Sequence, residues 1–335
     1  MVEKLLLVRE RLQAVYGRYS AVIKPFGRFL ITFSTLLIIR KCVGIELFSD
    51  VLILAAVSFA GAWLPTGMNI LLVALTTLFN LSALSLEVTL TVGILMIAMF
   101  CINYAVRPEM NLLVLLLPVC HFLKIPYAAV LIAGMTGTVL EIMPVISGTV
   151  FYYILTYIGK NANAYTSAGT LDPLQKFTQL MSGLMNHDEM WLMCITLGVI
   201  LIVTRVINKL RLDYAKQIAP GAGLAAGLLV SLIGVFSMDI RISVVSLILG
   251  MAGSVLLAYA AQFILLPLNY LQTEYVQFED DDYYYYVKAV PKMAISRPEL
   301  QVKKLNIRKE LENTAAIPEI SAVDITREIP ELDER

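Results

Sequence analysis

Charge is scarce in the middle of this sequence. Only 16% of its 335 residues are Asp, Glu, Lys or Arg, against about a quarter in soluble chains. Most of those charges lie before Arg28 or after Tyr270, and the stretch from Phe29 to Pro267 is nearly all apolar. A soluble globular fold is excluded by this distribution. Lys and Arg together balance Asp and Glu at 26 each, so no concentrated basic surface exists to hold phosphates, and nucleic acid is excluded as a partner.

Reactive motifs are missing too. There is no GxSxG, HExxH, Walker loop or GxGxxG, so a familiar hydrolase, zinc protease or nucleotide-driven engine is unsupported. No paired acid and base or nucleophile points to an intramembrane enzyme, and no cofactor or metal is expected. An ATP-driven complex would need a separate ATPase chain. Cys42, Cys101, Cys120 and Cys194 have no CxxC spacing and fall in or beside apolar stretches, as buried free thiols do. Histidine occurs only at 121 and 187. His187, Asp188 and Glu189 are consecutive, but adjacent residues on a helix do not face one another and the second histidine is far along the chain. They read as a solvated loop end rather than a metal site.

What is present is hydrocarbon-seeking helix. Mean hydropathy is +0.75, and 58% of residues are hydrophobic. A span of about 30 Å takes roughly 20 helical residues. The long candidates are Phe26 to Ile45, Glu87 to Val106, Met143 to Ile158, Met190 to Asn208, Ile218 to Met238 and Ile242 to Leu266. Between them lie two pairs of short apolar segments. The first is Val51 to Leu64 and Met68 to Leu81, joined by Pro65 to Gly67; the second is Met110 to Leu123 and Tyr127 to Leu140, joined by Lys124 to Pro126. Segments of this length reach about 21 Å at 1.5 Å per residue, marginal for a crossing.

The chain is therefore read as an all-α integral membrane protein with six to ten transmembrane helices. If both short pairs are re-entrant hairpins, the order of hairpin then span occurs twice in opposite orientation, as in secondary transporters with interrupted helices. That reading has position 66 reached from outside and position 125 from inside; the ten-span reading reverses both.

Residues 1–25 form a basic amphipathic helix: Leu5, Val8, Leu12, Val15, Tyr19 and Val22 line one face between Lys4, Arg9, Arg11, Arg18 and Lys24. It suits an anionic leaflet. This basic start, with Arg205, Lys209, Arg211 and Lys216, places both termini in the cytoplasm. The transmembrane domain covers 26–268. Its outer connection, 159–189, contains an interfacial or lid helix at 173–186, opened by Asp172 and Pro173. Glycines at 221, 223, 227, 234, 250 and 253 suit helix packing within the chain or a homo-oligomer.

Residues 269–335 form a cytosolic tail, mostly disordered beyond Pro298. At its start Tyr275 to Pro291 combines an acidic turn with a strand-like tyrosine run. Phe278, Glu279, Asp280, Asp281, Asp282, Tyr283, Tyr284, Tyr285 and Tyr286 are candidates for docking a cytosolic partner by strand addition or charge.

Inside the membrane region, ionisable side chains are functional candidates. Glu141 lies among Gly134, Gly137, Pro144 and Gly148, where a broken helix would free backbone groups for a cation or proton. His121 and Lys124 lie at the second turn, where an imidazole could relay protons. Each also has a bland reading, as a turn residue or polar cap.

The turn Lys124-Ile-Pro-Tyr127 and the segment Tyr275 to Pro291 resemble those of a group of uncharacterised multi-pass membrane proteins from Gram-positive anaerobes, some labelled transporter permeases. The resemblance runs over most of the chain and implies a plasma-membrane location. It carries over no functional residues. Together these features suggest a permease-like transport protein with a site between interrupted helices, or else a non-transporting scaffold that acts through its tail.

Overall fold

A computed structural model describes residues 2–43, 50–106, 112–165, 172–210, 215–238, 240, 243–265, 274–279 and 284–289. Among them six helical segments are long and apolar enough to cross a membrane: Ala14–Val43, Leu86–Val106, Val139–Lys160, Asp188–Lys209, Ala215–Ser237 and Val245–Ile264. The chain is an all-α multi-pass membrane protein.

Its side chains are arranged for lipid rather than water. Ile94, Ile233, Phe236 and Leu256 are exposed on the spans, whereas Thr32, Thr35, Asn69, Thr77, Asn103, Thr149 and Thr196 are buried between helices. Lipid solvates isoleucine as well as another helix does, so polar groups turn inward and pair there. Many of the hydroxyls donate back to the carbonyl four residues earlier, as Ser58 does to Leu54 and Thr77 to Val73.

Helix α1, Val2–Val43, carries both the basic stretch and the first span, in two helical stretches that meet at a kink at Tyr19, with Pro25 inside the second. The first short pair forms α2 (Val51–Trp63) and α3 (Thr66–Ser82), followed by the spanning α4 (Leu86–Val106). The second forms α5 (Leu113–Phe122) and α6 (Pro126–Thr136), followed by a 3-10 turn at Val139–Glu141 and then α7 (Ile142–Lys160). The second segment stops at Thr136, four residues before Leu140, because Gly137 is extended (ψ −154°) and redirects the chain.

Helix α1 acts as a ruler for both pairs. At the first tip, Arg28 Nη1 donates to the Leu64 carbonyl at 3.2 Å, and Asn69 Nδ2 donates to Thr32 Oγ1 at 2.8 Å. At the second, Lys41 Nζ sits 4.7 Å from the centre of the Phe122 ring. Thirteen residues separate Arg28 from Lys41, about 20 Å of helix. The two tips thus meet α1 at points about 20 Å apart, the first in mid-helix and the second near its C-terminal end.

The remaining helices are α8 (Ala162–Tyr165), α9 (Pro173–Met185), α10 (Asp188–Lys209), α11 (Ala215–Ser237) and α12 (Val244–Leu265). One end of the bundle, called the loop face below, carries the ends of α1 and α7 and the start of α10. A Cβ on Gly159 there would fall on the Cys42 carbonyl oxygen, so α1 and α7 meet backbone to backbone. At the opposite, basic face α10 ends at Lys209, α11 begins beside Lys216, and Asn208 Nδ2 donates to the Met135 carbonyl at 2.8 Å.

Helix α9 starts as its sequence suggests: the Asp172 backbone N–H donates to Gln175 Oε1 and Pro173 takes the first position. Its buried face is Lys176, Leu180 and Leu184, while Leu174, Phe177 and Met185 are exposed. Lys176 reaches Ser85 Oγ at 3.4 Å and Glu87 at 3.7 Å, tying α9 to the start of α4. The glycines of α11 are used within the chain: Gly223, Gly227 and Gly234 lie against Thr204, Ile200 and Leu192 of α10.

Residues 269–335 make a separate unit. Strands β1 (Glu274–Glu279) and β2 (Tyr284–Ala289) pair antiparallel, from Glu274 opposite Ala289 to Glu279 opposite Tyr284. This two-stranded hairpin stands where one short strand was expected. The tail beyond Pro298 lies outside the described residues.

Candidate functional site

The second hairpin closes with a backbone feature that singles out one residue. The Lys124 N–H donates to the His121 carbonyl at 3.0 Å and the Ile125 N–H to the Cys120 carbonyl at 2.9 Å, the paired bonds of a Schellman ending. That motif puts its closing residue in the left-handed region, and Lys124 sits there with φ 61°. Glycine is usual at such a position. A residue with a Cβ costs about 1 kcal/mol more, so the local backbone would favour glycine over this lysine. Pro126 then opens α6, where its missing N–H is harmless.

The tip stops short of the neighbouring helix ends. The Lys124 carbonyl packs on α12 at Gly250, where a Cβ would come within 2.7 Å of it. Tyr127 Oη lies 3.8 Å from the Met193 sulfur, five residues into α10. A depression one to two helical turns deep, about 8 Å, is left over the tip.

Its wall on the α7 and α10 side is aromatic and acidic. The His121 ring stacks on Tyr152 with centroids 5.0 Å apart and meets Tyr153 edge-on at 5.8 Å. His187 packs on the same Tyr153 ring at 5.2 Å. The two histidines of the sequence, 66 positions apart, therefore flank one tyrosine, and the remoteness assumed from the sequence does not hold in space. Tyr153 Oη donates to Glu189 Oε1 at 3.2 Å, fixing the carboxylate in the first turn of α10. An acidic group is favoured at a helix start.

Hydrogen bonding also orients the imidazoles. His187 Nδ1 accepts from the Met190 N–H at 3.3 Å, which leaves its proton on Nε2. The single hydroxyl proton of Thr149 is directed to the Val145 carbonyl at 2.8 Å, so His121 Nε2, 3.4 Å from that oxygen, is the donor between them. His121 Nδ1 is then the lone-pair nitrogen.

These groups enclose a pocket of about 210 Å³, lined by His121, Lys124, Tyr127, Tyr152, Tyr153 and Glu189, with Pro126, Met193, Ser246 and Leu247. Lys124 is exposed and His121 buried. Since Glu189 begins α10 at the loop face, the tip is approached from that face. This is the access that the ten-span reading gives to position 125; the re-entrant reading had it reached from the opposite face, where its hairpin enters.

A second cavity of about 210 Å³ lies beside the first hairpin, between α3, α4, α5 and α7. Its lining is carbon apart from Asn103 and Ser147, which are hydrogen-bonded to each other at 2.6 Å. It holds no ionisable group with which to select a polar solute.

No family model, curated protein or solved structure matches the chain. The site is read from its own chemistry. Of the residues singled out in the sequence, His121 and Lys124 come together in the pocket. Glu141 does not line it. It is buried at 2% exposure in the α6–α7 turn, its side chain folded so that a Cβ on Gly137 would meet Glu141 Cγ at 2.7 Å. In the tail, Phe278 and Glu279 fall on β1 and pair with Tyr285 and Tyr284, and Tyr286 pairs with Gln277. Asp280, Asp281, Asp282 and Tyr283 lie outside the described residues.

Tyr127, Tyr152, Tyr153 and Glu189 are the pocket residues that the sequence reading missed. The signal available was the Tyr152-Tyr153 pair inside a span, since a tyrosine hydroxyl in hydrocarbon needs a partner.

Proposed function

We propose that the chain is a permease-like transport protein of the plasma membrane, with cytoplasmic termini, that takes a small polar solute from the loop face into the pocket over the second hairpin tip. The observation that carries this reading is a lysine and a glutamate facing one cavity within a bundle of six spans. Ionisable groups set between the ends of spanning helices mark solute pathways. Oppositely directed hairpins are the usual setting for such sites, and the resemblance of the Lys124 turn and the tail to proteins labelled permeases points the same way.

The test is counterflow in liposomes containing the full chain, preloaded with an unlabelled mixture of small metabolites and given the isotope-labelled mixture outside. Accumulation above empty vesicles is expected, at least tenfold lower in Lys124→Gln and Glu189→Gln. Equal accumulation in empty vesicles, or full retention by both variants, would refute the reading.

One observation favours the scaffold alternative: the β1–β2 hairpin forms a unit of its own. Under that reading, deleting residues 269–335 abolishes capture of a cytosolic partner while Glu189→Gln has no effect.

A further inference from the structure

The charges of the pocket are opposite in sign and on opposite sides. Lys124 belongs to the wall that packs on α12, through its carbonyl at Gly250. Glu189 belongs to the wall of α7 and α10, held by the Tyr153 hydroxyl. Both line the same 210 Å³, yet among the described residues they do not form an ion pair. A lysine and a glutamate that approach without neutralising each other leave room for something between them.

The rest of the lining is specific as well. Tyr152, Tyr153 and His121 stand beside the carboxylate, with Tyr127 reaching between the two walls from Gly250 to Met193, and ring faces attract an ammonium group at close range. On the Lys124 side, Ser246 in the first turn of α12 adds a hydroxyl, its own N–H being taken by Ser243 Oγ at 3.4 Å. The volume, about 210 Å³, is of the order of a small-molecule site.

We propose that this pocket binds a small zwitterion, an amino acid or a compound of that size carrying one ammonium and one carboxylate. The carboxylate is held by Lys124, and the ammonium by Glu189 with the tyrosine rings. The proposal rests on the transport reading above and narrows it to a substrate class. It also accounts for a lysine where the backbone favours glycine: a charge is required at the tip, and glycine would remove it.

The test is thermal unfolding of the detergent-solubilised full chain in the presence of each common amino acid at millimolar concentration. A ligand that binds only the folded state raises the midpoint. For whichever amino acid gives the largest rise, the matching amine, lacking the carboxylate, and the matching acid, lacking the ammonium, are then compared. At least one amino acid is expected to raise the midpoint, and both single-charge analogues to bind at least tenfold more weakly. Lys124→Gln and Glu189→Gln are each expected to weaken the amino acid at least tenfold. Both variants keep their local geometry, since glutamine at 189 still accepts from Tyr153.

An amine binding as well as the amino acid, with Lys124→Gln indifferent, would overturn the proposal in favour of a cation site. An acid doing so, with Glu189→Gln indifferent, would overturn it in favour of an anion site. Counterflow of other solutes with no amino acid binding would refute the zwitterion while leaving transport intact. Absence of both would refute the two together.

Discussion

The first hairpin ends in Pro65 and Thr66 and borders a cavity of carbon, whereas the second, inverted against it on the same α1, ends in Lys124 and borders a cavity with a cation, a carboxylate and three tyrosines. Their fastenings differ in the same sense. The first tip is tied down at Leu64 by Arg28, with Asn69 on Thr32. The second carries its charge at the end of a strained turn, with Lys124 exposed and lining a pocket. One architecture, used twice, gives an anchoring hairpin and a hairpin that presents chemistry. Backbone geometry permits either; the side chains at the tip decide.

This contrast can be broken in several ways. The largest effect is expected from Gly250→Val, which pushes branched carbon into the Lys124 carbonyl and displaces the second tip. Overpacking of this kind costs about 2–3 kcal/mol, measured by unfolding in micelles, and solute binding should fall with it. Asn69→Leu at the first hairpin removes one interhelical hydrogen bond, worth about 1 kcal/mol in a membrane protein, and should leave binding at the second hairpin unchanged. A loss of binding there would show the two hairpins to be coupled.

Lys124→Gly should move stability the other way, a gain of about 1 kcal/mol as the left-handed position is relieved, with loss of binding. Unchanged stability would mean that the turn is not strained. The smallest effect belongs to α9. Lys176→Met breaks its link to Ser85 and to Glu87, which is partly exposed. Such a pair contributes little and weakens with salt. Faster amide exchange along α9 is expected, with the α10 core unaffected.

Much of this arrangement was legible in the sequence because it follows from length and apolarity. Segments of about 14 residues cannot cross as easily as segments of 20, so both short pairs could be located in the sequence, while whether they cross stayed open between six and ten spans. Gly137 and the Asp172-Pro173 start likewise act within one or two residues. The pocket was only half legible. His121 and Lys124 stood out as polar residues at a turn, but Glu189 and His187 looked like loop residues, because nothing local shows that α10 begins beside the second hairpin. Glu141 stood out as a charge among glycines. The Gly137 bend turns it into the α6–α7 junction instead of the pocket.

The direct test of the orientation of the two tips and of access to the pocket is labelling of single cysteines by a membrane-impermeant maleimide on intact cells, with the four native cysteines replaced. Lys124→Cys and Glu189→Cys should label from outside and Thr66→Cys should not, because only the second tip opens toward the loop face. Labelling of Thr66→Cys with Lys124→Cys and Glu189→Cys silent would contradict both the orientation and the access to the pocket.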